Sequence, residues 1–300
     1  RSHNELGALL VEQGKLAEAE AHYNEALRVT PDFGHVLDRL GRLLTAQGRY
    51  DEALARYENA LRVNPNNQDV HYLLGRELVL QGRKDEAAPH FEEAIRLNPD
   101  DARAHNELGE ILAERGKIDE AMKHYEEALR VDPQFSYVLN KMGRILASQG
   151  KFDEAVKRYR DALAINPDNQ DVHYLLAREL GAQGKTDEAV AELNEALRLN
   201  PDDARAHNDI GLVLMQIGKP EEAIRHFQEA LRIAPDFTLA LNNWGNALAG
   251  LGRIDEAEER YRKALEVRPS DEYAYYNLAG LAERRQQYDT AIELYHKAMK

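Results

Sequence analysis

Basic residues recur in this sequence at intervals that could build an anion site. Four arginines form two pairs whose members lie 34 residues apart: Arg42 with Arg76, and Arg144 with Arg178. Another basic residue stands three positions before the first member of each pair; these are Arg39 and Lys141. A guanidinium group binds carboxylate or phosphate through two parallel hydrogen bonds. Acidic residues such as Asp38 and Glu110 recur beside them. The pattern therefore predicts either a site for an acidic ligand or salt bridges between neighbouring elements.

Histidines form a second recurring set, in pairs whose members lie 19 residues apart. The pairs are His3 and His22, His71 and His90, His105 and His124, and His207 and His226. Imidazole nitrogens bind zinc, but a zinc site takes three or four ligands and each pair supplies two. We therefore expect these histidines to touch and pack, with a mild pH sensitivity, and we expect no metal and no other cofactor.

Composition removes several classes of function. The chain has 300 residues, a net charge of −14 and no cysteine. The negative charge argues against nucleic-acid binding, which needs a basic surface. Without cysteine there are no disulfides, thiolate zinc sites or cysteine nucleophiles. No apolar run approaches the roughly 18 residues of a membrane span. No signal peptide is recognisable.

Catalytic motifs are missing from the sequence. It contains no phosphate-binding glycine loop, no G-x-S-x-G and no H-E-x-x-H. Paired carboxylates are numerous, but they fall on the solvated faces of helices rather than in a convergent, desolvated site. We therefore expect that the chain is not an enzyme.

A 34-residue repeat positions these side chains. A proline marks its end in eight consecutive copies: Pro31, Pro65, Pro99, Pro133, Pro167, Pro201, Pro235 and Pro269. We define Ala102 as position 1. Apolar spacing then predicts one helix from about Ala102 to Arg115 and a second from about Asp119 to Val131. Gly116 fits the left-handed turn that ends a helix, so each copy is an αα-hairpin.

The packing residues of the repeat follow a fixed code. Position 8 is glycine or alanine, positions 20 and 27 are alanine in all nine copies, and position 24 is aromatic in all but one. With proline at position 32, this pattern resembles the tetratricopeptide repeat family along essentially the whole chain. The resemblance implies an all-α, right-handed superhelical solenoid of antiparallel helix pairs, with residues 1–300 as a single domain of about nine copies. It also implies a scaffold that holds other proteins in a concave groove lined by the first helices.

A longer period of three repeats, or 102 residues, overlies the shorter one. Gln68–Leu74 and Gln170–Leu176 both read QDVHYLL. The chain thus divides into three related blocks, 1–101, 102–203 and 204–300. Duplication of a three-repeat segment explains the longer period, and so does a ligand of matching spacing; both interpretations stay open.

The resemblance also implies which residues face the groove, namely positions 2, 5, 6, 9, 12 and 13 of each first helix. The candidate ligand-binding residues there are Arg39, Arg42, Tyr72, Arg76, Lys141, Arg144, Tyr174, Arg178, Asn243, Asn246 and Tyr276. Arginine suits an acidic ligand, and tyrosine combines apolar area with a polar tip. The carboxylate clamp of chaperone-binding members and the asparagine ladder of O-linked N-acetylglucosamine transferase do not match.

Three residues predict local departures from the repeat. Pro89 lies inside a second helix, where we expect a distortion. Pro220 stands at a helix start, where proline is tolerated. Gln286 replaces the turn glycine in the ninth copy, which we interpret as a terminal or truncated repeat.

Several functions remain open. The first is a protein-interaction scaffold that binds an extended or helical, possibly acidic, peptide segment. The second is a structural protein that self-associates through uncapped terminal repeats. The third, an engineered consensus repeat, is disfavoured because the groove residues vary. The chain also looks like a fragment, so it could be the repeat portion of a larger, possibly enzymatic, protein. No feature decides the compartment, and a cytoplasmic location is the preferred expectation.

Overall fold

Helices account for every regular element in the computed structural model, which describes residues 2–299. Within that range, eighteen helices form nine consecutive pairs. They are α1 (Ser2–Glu12), α2 (Leu16–Val29), α3 (Gly34–Ala46), α4 (Tyr50–Val63), α5 (Gln68–Leu80), α6 (Lys84–Leu97), α7 (Ala102–Glu114), α8 (Ile118–Val131), α9 (Ser136–Ser148), α10 (Phe152–Ile165), α11 (Gln170–Ala182), α12 (Thr186–Leu199), α13 (Ala204–Gln216), α14 (Pro220–Ile233), α15 (Thr238–Gly250), α16 (Ile254–Val267), α17 (Glu272–Arg284) and α18 (Tyr288–Ala298).

The turn inside each pair is closed by one residue in the left-handed backbone region. In eight pairs this residue is glycine, with φ between 73° and 76°: Gly14, Gly48, Gly82, Gly116, Gly150, Gly184, Gly218 and Gly252. Glycine has no Cβ and adopts this conformation without strain. In the ninth pair Gln286 takes the same role with a φ of 60°, and no other non-glycine residue in the described range has a positive φ.

Polar caps start several of the first helices. An asparagine or aspartate side chain accepts a backbone N–H of the first turn at five of them: Asn67, Asp101, Asn169, Asp203 and Asp271. These caps satisfy donors that the helix itself leaves unpaired. Pro220 is the first residue of α14, as expected. The distortion expected at Pro89 does not interrupt α6, which continues through it over 14 residues.

Close contact of a glycine with an aromatic ring joins the two helices of most pairs. A Cβ added at Gly143 would lie 2.6 Å from Cε1 of Tyr159, so an alanine there would displace this ring. In the sixth pair, Ala177 replaces the glycine and the smaller Leu193 replaces the ring, and both are buried. Small and large residues therefore compensate each other across the helix pair.

Two compact units divide the chain between Val138 and Leu139. Consecutive helices pack against each other from α1 to α8 in the first unit and from α10 to α18 in the second. First helices of neighbouring pairs also touch, as α1 does with α3 and α13 with α15. The predicted all-α solenoid of stacked helix pairs is therefore confirmed. The three-block division stays a prediction. None of the described helices has the length and apolar character to cross a membrane.

Candidate functional site

A pocket of about 420 Å³ lies among α9, α10 and α11 in the second unit. We call it the repeat 5–6 pocket. Its lining is Arg144, Ala147, Ser148, Phe152, Tyr159, Leu175, Arg178, Glu179 and Ala182. Two first helices supply its walls, and the second helix between them supplies the two aromatic residues. The pocket thus combines an apolar floor with two guanidinium groups and one carboxyl group.

The first unit contains a pocket of the same design. It measures about 320 Å³ and lies among α1, α2 and α3; we call it the repeat 1–2 pocket. Its lining is Ala8, Val11, Glu12, Leu16, Tyr23, Arg39, Arg42, Leu43 and Ala46. Each of these residues lies 136 positions before its counterpart in the repeat 5–6 pocket. The repeat therefore forms a pocket from a fixed set of nine positions.

Arg144 and Arg178 are the least engaged basic groups of the repeat 5–6 pocket. Both are exposed, and neither forms an ion pair or hydrogen bond with any residue that the structure describes. Burial raises the pKa of the Glu179 carboxyl, and Arg178 counteracts part of this rise. Burial also raises the pKa of Tyr159 to about 12, so its hydroxyl keeps its proton at neutral pH. The pocket thus offers two free cations beside a phenol.

The arginines of the repeat 1–2 pocket are held by neighbours. The Nε of Arg42 donates to Oδ1 of Asp38 over 2.9 Å. The guanidinium of Arg39 donates to Oδ1 of Asn4 on the preceding first helix over 3.1 Å. The ion pair of Arg42 therefore lies within α3, and Arg39 is bonded to a neutral asparagine of the neighbouring first helix.

Tyr72 is covered by neighbouring side chains. Its side chain is only 7% exposed. The ring centroid lies 6.0 Å from that of Phe91. The guanidinium carbon of Arg103 lies 4.4 Å from the centroid of the Tyr72 ring, and that of Arg76 lies 5.9 Å away. Burial raises the pKa of Tyr72. Arg76 itself is exposed and can reach a ligand.

Most other predicted site residues bridge neighbouring helices. The Tyr174 hydroxyl donates to Oδ2 of Asp209 over 2.9 Å, and burial raises its pKa to about 12. Asn243 donates to Oδ1 of Asn208 over 2.9 Å. The remaining three differ in exposure: Asn246 is exposed and accepts from the Tyr261 hydroxyl, Tyr276 is 61% exposed, and Lys141 is half-buried on α9.

The eleven predicted residues are thus distributed along the first helices, not gathered in one place. The structure brings Arg39 to Arg42 in one pocket and Arg144 to Arg178 in the other. Their assignment as ligand-binding residues stays a prediction.

Comparison with known families accounts for nearly the whole chain. A model of the tetratricopeptide repeat matches residues 1–33, and a model described as TPR repeat matches residues 41–76 and 75–114. A model described as the C-terminal domain of cilia and flagella-associated protein 70 matches residues 98–300. The chain belongs to the tetratricopeptide repeat (TPR) family. No curated protein matches its sequence.

Solved TPR structures resemble the chain over long stretches. YrrB, described as a TPR protein with an unusual peptide-binding site, is 25% identical over 62% of this chain and 96% of its own, with a TM-score of 0.56. MamA is 27% identical over 53% of this chain and 94% of its own, with a TM-score of 0.52. The APC/C hetero-tetramer Cut9–Hcn1 shares the fold, at 22% identity over 96% of this chain and 56% of its own, with a TM-score of 0.58. The fold is that of a protein-interaction scaffold.

Two sets of buried polar residues in these TPR units were missed by sequence reasoning. Position 5 is asparagine in five of nine copies, and four of these are buried: Asn4, Asn106, Asn208 and Asn242. Position 10 is apolar in every copy except two, where Glu77 and Glu179 stand. The Glu77 carboxyl is buried and accepts a hydrogen bond from the Thr45 hydroxyl over 2.7 Å. Burial raises the pKa of this carboxyl. The recurrence of each residue type at one position was the available signal.

The histidine pairs touch, as predicted. Their Nδ1 atoms lie 2.8, 3.1, 2.9 and 3.2 Å apart in the pairs that begin with His3, His71, His105 and His207. In each of the last three pairs, burial and then the neighbouring histidine lower the pKa of the second member: His90, His124 and His226. No cluster of three or more potential metal ligands occurs among the described residues.

Proposed function

We propose that this TPR protein binds a peptide segment rich in acidic residues along its first helices. The repeat 5–6 pocket receives one acidic side chain between Arg144 and Arg178. The observation that carries this proposal is the presence of two exposed arginines, free of partners among the described residues, on the wall of one pocket. On a protein with a net charge of −14, such free cations are placed where an anion can use them.

The lining of the pocket suits a side chain with an apolar stem and an anionic end. Phe152 and Leu175 provide the apolar contact. The guanidinium groups can each bind a carboxylate through two hydrogen bonds. The Glu179 carboxylate in the pocket lining repels an anion, which keeps the ligand carboxylate beside the arginines. A glutamate side chain therefore fits better than a shorter aspartate.

The same nine positions form a pocket in both units, and of these two the repeat 5–6 pocket is the one with free arginines. The solved relative YrrB, described as having a peptide-binding site, supports a peptide as the ligand class. The absence of catalysis and of nucleic-acid binding stay predictions from the sequence.

Matched charge reversals test the proposal. A fluorescent glutamate-rich peptide and its glutamine counterpart are titrated with the wild type, with Arg144→Glu/Arg178→Glu and with Arg39→Glu/Arg42→Glu. Both variants change the net charge equally, so long-range electrostatics affect them alike. We expect the first variant to lose at least about tenfold in affinity for the acidic peptide and the second much less, because each lost charge-assisted bond contributes about 1.5–3 kcal/mol. Equal losses in the two variants contradict the proposal.

Self-association is a second candidate, and the terminal helices favour it. Leu6 on α1 is 44% exposed, whereas its counterpart Leu40 is 1% exposed between two repeats. Ile292 on α18 and Met299 directly after it are also exposed. A second copy carries the complementary repeat face and could cover these residues. Light scattering over a concentration series tests this, since a strictly monomeric species at high concentration excludes it.

A further inference from the structure

We propose that three histidine pairs are two-nitrogen chelates for a divalent transition-metal ion, with Cu²⁺ preferred. The pairs are His71 with His90, His105 with His124, and His207 with His226. Each joins the start of a first helix to the following second helix, at a distance in the sequence that the TPR hairpin fixes.

Backbone carbonyls set the tautomer of the first histidine in each pair. The Nε2 atoms of His71, His105 and His207 lie 2.9, 3.1 and 3.3 Å from the carbonyl oxygens of Pro65, Pro99 and Pro201. A carbonyl can only accept, so Nε2 carries the hydrogen in the neutral ring. The lone pair is then on Nδ1, which faces the second histidine. Metal-ligating histidines in proteins show this arrangement, with the outer nitrogen bonded to a carbonyl or carboxylate.

The distance between the two Nδ1 atoms favours one coordination geometry. It is 3.1, 2.9 and 3.2 Å in the three pairs. With metal–nitrogen bonds of about 2.0–2.1 Å, two nitrogens at a right angle lie about 2.9 Å apart, and two at the tetrahedral angle lie about 3.4 Å apart. The pairs that begin with His71 and His105 match the right angle more closely, and the pair that begins with His207 lies between the two values. Adjacent nitrogens at a right angle belong to the tetragonal sites of Cu²⁺, which also binds nitrogen ligands most strongly in the divalent series.

The metal-free pair contains a hydrogen that the ion can replace. Because the lone pair of His71 is on Nδ1, His90 is the donor of this pair through its own Nδ1–H. When the hydrogen of His90 moves to its Nε2, both Nδ1 atoms present lone pairs to the ion, and no proton is gained or lost overall. His90, His124 and His226 are half-buried, so solvent reaches each pair. Because no third protein ligand joins them among the described residues, water completes the coordination.

Carboxylates near the pairs add a favourable potential for a cation. Glu93 interacts electrostatically with His71, and Glu127 does so with His105. Both carboxylates are held by arginines, Arg96 over 2.6 Å and Arg130 over 2.7 Å. They are therefore neighbours of the site rather than ligands.

The chain supplies its own control for these sites. Other repeats carry leucine and arginine at the same two positions, as Leu37 and Arg56 do in the first unit and Leu241 and Arg260 in the second. Leu37 and Leu241 are buried in intact helix pairs. The double variant His71→Leu/His90→Arg therefore copies a combination that already packs in this chain, and it removes both nitrogen donors.

The experiment counts bound Cu²⁺ ions by titration and by electron paramagnetic resonance with glycine as competitor. We expect His71→Leu/His90→Arg to bind one Cu²⁺ fewer than the wild type, and the corresponding six-residue variant to bind three fewer. Any binding at the chain terminus is common to all variants and cancels. The spectrum of the wild type should show coupling to two imidazole nitrogens.

A single substitution, His90→Gln, provides a second test that needs less repacking. It keeps the hydrogen bond of His71 to the Pro65 carbonyl and removes one of the two nitrogen ligands. The coupling of the copper signal to two imidazole nitrogens should therefore disappear at that site. The proposal is overturned if the six-residue variant binds as many Cu²⁺ ions as the wild type, or if the wild-type spectrum shows no coupling to two imidazoles. Binding of Zn²⁺ in preference to Cu²⁺ contradicts the tetragonal geometry.

Discussion

The repeat 1–2 pocket and the repeat 5–6 pocket are built from the same nine positions, and position 5, which lies outside both linings, distinguishes them. In α3, position 5 is Asp38, whose carboxylate holds Arg42. In α11, position 5 is Tyr174, whose hydroxyl bonds to Asp209 on the next first helix and leaves Arg178 free. One backbone design therefore gives either a self-satisfied pocket or a pocket with free cations. Position 5 distinguishes the state of the arginine one turn away on the same helix, whereas Arg39 is held by Asn4 of the preceding first helix.

Two positions of the lining also differ between the two pockets. Position 10 is Leu43 in the repeat 1–2 pocket and Glu179 in the repeat 5–6 pocket. Position 12 is Val11 in the first and Ala147 in the second. The larger volume, the half-buried carboxyl group of Glu179 and the free arginines therefore occur together in one pocket.

The largest expected effect concerns the tyrosine ring that lines each pocket, Tyr159 in one and Tyr23 in the other. Gly143→Ala would place a Cβ 2.6 Å from Tyr159, and Gly7→Ala would do the same to Tyr23. We expect each to lower the free energy of unfolding by about 2 kcal/mol because the buried ring cannot move away without strain. Adding Tyr159→Leu should restore most of the loss, since the smaller side chain makes room. Urea denaturation measures each variant; no loss in either glycine variant shows that the floors are not rigid.

The second largest effect is expected from reducing the repeat 5–6 pocket to the size of the repeat 1–2 pocket. Ala147→Val introduces the residue of the repeat 1–2 pocket, Val11, at the same position. We expect the affinity for the acidic peptide to fall about tenfold, or about 1.4 kcal/mol, because the added methyl groups occupy the space of the ligand stem. Fluorescence anisotropy measures it. Val11→Ala is the matched control and should leave binding unchanged.

The half-buried carboxyl group of the repeat 5–6 pocket predicts a pH dependence. Burial raises the pKa of Glu179, so this group gains a proton at a higher pH than an ordinary glutamate as the pH falls. Protonation removes a negative charge from the pocket, so anion affinity should rise about threefold between pH 7 and pH 5. A peptide with sulfonate groups keeps its own charge over this range. Glu179→Leu, which copies Leu43, should abolish the pH dependence; if the dependence persists, another group causes it.

Freeing the arginine of the self-satisfied pocket gives the smallest effect. Asp38→Asn removes the ion pair of Arg42. Because that pair is largely exposed, the free energy of unfolding should change by no more than about 0.5 kcal/mol. In the Arg144→Glu/Arg178→Glu background, the same change should restore measurable, weak binding of the acidic peptide. No gain in binding shows that position 5 does not decide the difference between the pockets.

Packing was predictable from the sequence because the repeat reports it nine times. The predicted helices, from about Ala102 to Arg115 and from about Asp119 to Val131, agree with α7 and α8 to within one residue at each end. Gly116 adopts the expected left-handed turn. The histidine contacts also followed, because the hairpin fixes which positions face each other.

The engagement of the groove residues was not predictable in the same way. Whether Arg42 or Arg178 is free depends on position 5 of the same helix and on what the next repeat offers to it. Tyr72 was expected to face a ligand, yet Arg103 of the following first helix covers its ring. Such contacts join different repeats and differ from copy to copy, so an averaged repeat pattern does not contain them.

Gln286 has a consequence for how the molecule opens. Eight hairpin turns use glycine at a positive φ, and this one uses a residue whose Cβ makes the conformation less favourable by about 1 kcal/mol. The helix that follows, α18, buries only Ala291 fully. Separation of α18 from α17 therefore costs less free energy than separation of a helix that follows a glycine turn and buries more apolar side chains. We therefore expect the amide hydrogens of α18 to exchange with solvent through this local opening, and earlier than those of the interior hairpins.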